Sequence, residues 1–317
     1  MVKVEQLSKQ FGQFTAVDQL SFEVAPGEVL GFLGPNGAGK STTMKMITGF
    51  IAPSAGTVNV GGHDVSREPV KAKSLIGYLP EGAPAYADMT PAQFLKFAAS
   101  VRKMGATSST RIDQVVDQLM LNDVLHKPID TLSKGFKRRV GIAQAILHDP
   151  KVLILDEPTD GLDPMQKHEV RSLITNLAED KTVIVSTHIL EEVNAVCSRA
   201  IIIANGQLVA DAEPGELESL SEYHGAVTLK LSGETDPRVE LEALPSVFRV
   251  EAYPDDNRRV TAIPNADSHL YADIQALAKQ KQWDIEEMFA ERGRLEDVFR
   301  RLVDSHSSQS QNVGGTA

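Results

Sequence analysis

Short apolar runs separated by longer stretches of helical period set the rhythm of the first two-thirds of the chain. VLGFL at 29–33, TVNV at 57–60, LIGYL at 75–79, VLIL at 152–155, TVIVS at 182–186 and AIIIA at 200–204 are strand-sized. Runs of this kind suit strands buried on both faces, in a sheet flanked by helices. VDQLSFEV at 17–24 alternates instead, as an antiparallel strand with one wet face does. The pattern predicts an α/β body over residues 1–223, a mixed sheet leading into a mostly parallel one. Between Pro80 and the run at 152–155 the period turns helical. Phe94, Leu95, Ala98 and Val101 recur at helical spacing, as do Ile112, Val115, Val116 and Leu119. Thr90 before Pro91 supplies a cap and a first-turn proline. A helical subdomain is expected at about 82–145, its helices filling roughly 90–145.

A smaller unit is expected over 224–304. AVTLKLSG, VFRVEAY and RRVTAI read as strands, with a turn around Pro254, Asp255, Asp256 and Asn257 joining the last two. Leu270, Ile274, Leu277 and Ala278 make one helical stripe, and Leu295, Val298, Phe299 and Leu302 a second. That order predicts a small α+β domain. The tail 305–317, SHSSQSQNVGGTA, is polar and aperiodic, and disorder is expected there.

Length and composition narrow the class. The 317 residues suit two domains, and 42% hydrophobic with 24% charged residues suit a folded chain. No apolar run reaches the roughly 18–20 residues of a membrane span, and MVKVEQLSKQF lacks the apolar stretch of a secretory signal. A single cysteine excludes an internal disulfide and fits a reducing compartment. A net charge of −11 argues against nucleic acid as a partner. A soluble, intracellular protein is expected.

The candidate chemistry begins after VLGFL. Gly34, Pro35, Asn36, Gly37, Ala38, Gly39, Lys40 and Ser41 match G-x-x-x-x-G-K-[ST], and Thr42 continues into a helix. The glycines let backbone N–H groups turn inward, and the helix aims its positive end at the phosphates. Lys40 would neutralise phosphate charge while the Ser41 hydroxyl holds Mg²⁺. VLILDEP ends an apolar strand in two carboxylates: Asp156 can hold Mg²⁺ opposite Ser41, and Glu157 can orient or deprotonate the attacking water. LSKGF at 132–136 opens a further helix, with Ser133 as its cap and Gly135 leaving its first N–H groups open to an anion.

The phosphate loop, LSKGF before VLILDEP, the run Asp160-Gly161-Leu162-Asp163 and the lone His188 of VIVSTHIL together resemble the ATP-binding cassette of ABC transporters over roughly residues 1–220. The resemblance implies two cassettes stacked head to tail, each ATP lying between the phosphate loop of one and the signature helix of the other. Ser133 and Gly135 would meet the γ-phosphate across the dimer, Asp163 would link the two sites, and His188 would contact the γ-phosphate and water in cis. It also implies adenine stacking on Phe11, with Val17 padding the same face.

The pattern departs from the family where glutamine is usual, at Glu81, which can still ligate Mg²⁺, and at Lys134 and Phe136 of the signature. Lys137, Arg138 and Arg139 are read as a solvated face. GYLPE, LSKGF and the terminal LEDVFRRLV resemble a subgroup, with drug-export and gliding-motility cassettes, that pairs with a separate ABC-2 type permease. The expectation is therefore a homodimeric ATPase peripheral to the cytoplasmic face of the membrane, driving a separate permease, with export favoured over import. Residues 224–304 would dimerise or regulate. A nucleotide-gated scaffold and a non-transport ABC ATPase are the alternatives. Trp283 is read as packing, and Cys197, with Val193 and Val196, as a buried thiol.

Overall fold

The computed structural model describes residues 1–83, 85–232, 235–253, 256–265 and 270–313. They divide into two compact units, Met1–Ala212 together with the segment from His306 on, and Glu213–Ser305. That division precedes the expected 223/224, because the first unit's sheet is complete once its edge hairpin closes at Ala212.

In the first unit the strands are β1 (Val2–Phe11), β2 (Phe14–Val24), β3 (Val29–Leu33), β4 (Ala55–Val60), β5 (His63–Asp64), β6 (Ile76–Leu79), β7 (Val152–Asp156), β8 (Thr182–Thr187), β9 (Arg199–Ala204) and β10 (Gln207–Ala212). The helices are α1 (Lys40–Ile47), α2 (Pro69–Ser74), α3 (Pro91–Val101), α4 (Ser108–Gln118), α5 (Lys134–Ile146), α6 (Pro164–Ala178) and α7 (Leu190–Val196). One sheet, ordered β2-β1-β4-β5, is antiparallel throughout. The other runs β10-β9-β3-β8-β7-β6, parallel except for its β9–β10 edge.

TVNV at 57–60 belongs to the antiparallel sheet, a correction to its expected place among strands buried on both faces. Val58 and Val60 are buried while Thr57 is exposed, so the run is half-wet and its one buried face suffices. The uninterrupted apolar strands do lie inside. Leu153, Leu155, Val183 and Val185 face a core shared with α3, α4, α5 and α6. Leu30, Phe32, Ile154 and Ile184 face the opposite core, shared with α1 and the antiparallel sheet. The helical insertion begins where expected: Thr90 accepts the Gln93 N–H, the Gln93 side chain returns the bond to the Thr90 N–H, and Pro91 opens α3.

The second unit contains α8 (Pro214–Ser219), β11 (Val227–Leu231), α9 (Arg238–Glu242), β12 (Val247–Tyr253), β13 (Asp256–Pro264), α10 (Leu270–Lys281), β14 (Ile285–Ala290) and, as far as Ser305, α11 (Leu295–Val313). Its antiparallel sheet is ordered β12-β13-β11-β14, the split βαββαβ topology, with Val227, Leu229, Val260, Leu270 and Ile274 in one core. Of the expected turn, Pro254 and Asp255 lie outside the described residues, and Asp256 already opens β13. Helix α11 runs on past Ser305, where disorder is expected, as far as Val313. No proline or glycine interrupts 305–313, and extending a helix costs far less than starting one. Residues 314–317 lie outside the described residues.

Candidate functional site

Parallel strands present their carboxyl ends together, and the order β3-β8-β7 brings three loops to one edge. The phosphate loop leaves β3 after Leu33, Glu157 follows β7, and His188 follows β8. A cavity of about 390 Å³ opens there, lined by Pro35, Asn36, Gly37, Gly39, Lys40, Ser41, Thr42, Glu81 and Glu157, with Phe14 and Ala16 at its side.

Gly39 sets the loop's shape. Its φ of 104° lies in the left-handed region, and a Cβ would stand 2.5 Å from the Ala16 carbonyl, so no side chain fits. Gly39 also caps α1 without a side chain, so no cap engages the first-turn N–H groups at the cavity. Neither Gly34 nor Ala38 lines the cavity: Gly34 abuts Ile203 and Ala38 is buried.

Lys40 donates to the carbonyls of Gly34 (2.7 Å) and Pro35 (3.3 Å), and its Nζ stands 3.8 Å from Glu157 Oε1. Burial lowers its pKa, against the pull of Glu157, Asp156 and Glu81. Ser41 Oγ donates to Asp156 Oδ1 at 3.3 Å, and the Ser186 hydroxyl donates to the same oxygen. Asp156 Oδ2 is buried without a partner among the described residues.

Glu157 bends out of the strand with φ 49°, its N–H bonded to the carbonyl and hydroxyl of Ser186. The carboxylate is thereby aimed at the cavity, and its Oε2 lies 2.8 Å from His188 Nδ1. The sequence-derived phosphate-loop lysine, both acidic residues and the histidine thus stand in one constellation.

Other expected residues stand elsewhere. Ser133 caps α5, accepting the Phe136 N–H at 3.3 Å, and Asp163 caps α6, accepting the Gln166 N–H at 2.9 Å. Gly135 is pressed against Gln166, whose amide a Cβ would meet at 2.7 Å. None of the three lines the cavity. Val17 is wholly buried under Gly39, so it packs the loop from below and offers no face to a base. Phe11 is half-exposed with the Lys9 ammonium 5.1 Å from its ring centre, and it pairs across the hairpin with Phe14.

Phe14 is the aromatic that lines the cavity, and sequence reasoning missed it. Two phenylalanines flank the Gly12–Gln13 turn, and the shared face of Phe14 and Ala16 follows from strand alternation. Ser186 was missed as well, being a small polar residue at the end of an apolar run. The solvated reading of Lys137, Arg138 and Arg139 is corrected. Arg138 is buried and reaches the Asp160 carbonyl at 3.5 Å, while Arg139 pairs with Glu169. Cys197 packs where a Gly31 side chain would go, and burial pushes its thiol up to about 12.

A glycine-rich loop between strand and helix, a carboxylate pair at the next strand but one, and a histidine beside the second carboxylate define a phosphate-loop ATPase. The ABC transporter family matches residues 17–160. The chain is similar over nearly its whole length to the ABC transporter ATP-binding protein YxlF of Bacillus subtilis (strain 168), 33% identical over 304 residues that cover 96% of this chain and 99% of that one. It is 32% identical over 314 residues to the Nod factor export ATP-binding protein I of Ralstonia nicotianae, covering 96% of this chain and 94% of the relative. The ATP-binding cassette MJ0796, in a dimeric post-hydrolysis state bound to ADP and phosphate, superposes with TM-score 0.61 at 25% identity, over 68% of this chain and 99% of that one. The chain belongs to the ATP-binding proteins of ABC transporters.

Proposed function

We propose that this chain is the ATP-hydrolysing subunit of an ABC-2 type exporter, working as a homodimer with a separate membrane permease. The observation that carries the reading is a divided phosphate grip. One cavity holds the loop, Glu157 and Glu81, while the second anion-ready helix start, at Ser133 and Gly135, lies outside it. A second copy, turned head to tail, would bring that helix start to the cavity.

Hydrolysis follows from the geometry. The phosphate loop and Lys40 hold the terminal phosphate, Lys40 exchanging its loop carbonyls for phosphate oxygens. Glu157, aimed into the cavity, takes a proton from the attacking water, and His188 holds Glu157 and the γ-phosphate in place. The two aromatic rings at 11 and 14 offer the base an apolar face. Asp156 Oδ2, buried and unpartnered beside the Ser41 hydroxyl, with the Glu81 carboxylate on the cavity wall, makes an oxygen donor set that fits Mg²⁺. When bound there, Mg²⁺ supplies charge neutralisation for the phosphates.

A permease suits the surface of the helical insertion. Tyr86 and Phe97 meet edge-on at 5.4 Å, both exposed, and exposed Val101 lies one turn further along α3. Among the described residues no helix is long and apolar enough to cross a membrane, so the span would come from the partner. Export is supported by the relative named for Nod factor export.

Glu157→Gln tests the reading. Its turnover should fall at least about 100-fold, and with Mg²⁺-ATP it should accumulate as a dimer by light scattering, which Ser133→Arg should abolish. A variant that stays monomeric with bound ATP overturns the divided grip.

A further inference from the structure

Behind His188 lies a buried carboxylate with no part in the chemistry above. Glu192, in the first turn of α7, is 2% exposed. One of its oxygens accepts the Thr159 hydroxyl, and the other accepts the Thr187 hydroxyl at 2.7 Å. Both threonines are themselves buried. Thr187 Oγ1 in turn accepts the Ile189 N–H at 3.0 Å, fastening the turn whose middle residue is His188. Thr159 stands two residues beyond Glu157. One carboxylate therefore joins the segment after Glu157 to the segment that carries His188, and the two side chains so held meet at 2.8 Å.

Such a group is costly as mere filling. Burial disfavours its charge and raises its pKa, and an apolar side chain of equal volume would occupy the space at lower cost. What an apolar side chain lacks is two acceptors on two different segments. A geometric error of about 1 Å between reacting groups can cost about 100-fold in rate, so a rigid tie at this point bears directly on turnover.

We propose that Glu192 is a positioning residue for ATP hydrolysis, holding Glu157 and His188 in register through Thr159 and Thr187. The inference rests on the reading of Glu157 and His188 as the hydrolytic pair. It assigns Glu192 no contact with nucleotide, so binding and turnover should respond differently to its loss.

The test uses the full chain, with steady-state ATPase kinetics and nucleotide affinity measured in parallel. Glu192→Ala should lower kcat about 10- to 100-fold while KM and nucleotide affinity stay within about two-fold. Glu192→Gln keeps one acceptor and gains a donor for the other threonine, and should restore most of the turnover. Thr187→Val, nearly isosteric and lacking only the hydroxyl, reads the same link should the alanine variant fold poorly. Glu192→Ala combined with Thr187→Val should be no slower than Glu192→Ala alone, as members of one chain of contacts behave. Parental kcat in Glu192→Ala overturns the inference, as does a fall in kcat and affinity together that Gln does not rescue. Glu157→Gln in the same series separates the two layers. If it turns over like the parent, the underlying reading fails and Glu192 with it. If it is inactive while Glu192→Ala is not, only the positioning role fails.

Discussion

At the strand end where Asp156 and Glu157 adjoin, two buried carboxylates take different conformations for different tasks. Asp156 ends β7 in extended backbone, and Glu157 turns left-handed at φ 49°, a state that costs a residue with a Cβ about 1–2 kcal/mol. Two variants without the carboxylate isolate that cost. Glu157→Gly should be more stable than Glu157→Gln by about 1 kcal/mol in denaturant titrations without nucleotide. A second residue-scale prediction concerns His148. Burial first, and then the positive charge of Arg102, lower its pKa from 6.5 to about 4, while its Nε2–H donates to the Ile76 carbonyl at 3.0 Å. The fold thus favours the neutral ring. Its contribution is whole above the unfolded pKa and is lost as pH falls from about 6.5 toward 4, by roughly 1–3 kcal/mol. Unfolding free energy measured between pH 7 and pH 4 should show that loss, and His148→Gln should remove it. Lys40, Ser41, Asp156 and Glu157 were legible in the sequence because adjacency and spacing along the chain encode them. Ser186 and Glu192 were not, since their meaning comes from partners across strands and loops.

Among the elements, α5 carries the most consequence per residue. It lies so close to β6 that a Cβ on Gly77 would stand 2.2 Å from the Ala145 carbonyl, and one on Gly141 2.6 Å from Leu79. Gly77→Ala should cost about 1–3 kcal/mol in stability by overpacking, read by thermal or chemical unfolding. The same closeness explains the failed reading of Lys137, Arg138 and Arg139. Consecutive basic residues look solvated in a sequence, but a helix inserted between sheet and loops points one of any three neighbours inward. Caps were more readable. Thr90–Gln93 and Ser133 act through local bonds, so they are visible without tertiary structure. β14 was not visible, because IEEMFA is an edge strand with no buried stripe of period two.

On the scale of the whole chain, two separate cores imply two separable stabilities. Ile274 is wholly buried in the second unit's core and far in sequence from any phosphate-loop residue. Ile274→Ala should destabilise that unit by about 2–5 kcal/mol, splitting thermal unfolding into two steps while ATP affinity is unchanged. Calorimetry with and without nucleotide reads both. The place of β3 in its sheet has a consequence for biosynthesis. The strand that launches the phosphate loop emerges early, yet its neighbours β8 and β9 come from residues 182–204. Until that later stretch clears the ribosome the loop has no floor, so a growing chain acquires its grip on nucleotide abruptly and late, and the segments made meanwhile must wait with their apolar faces uncovered.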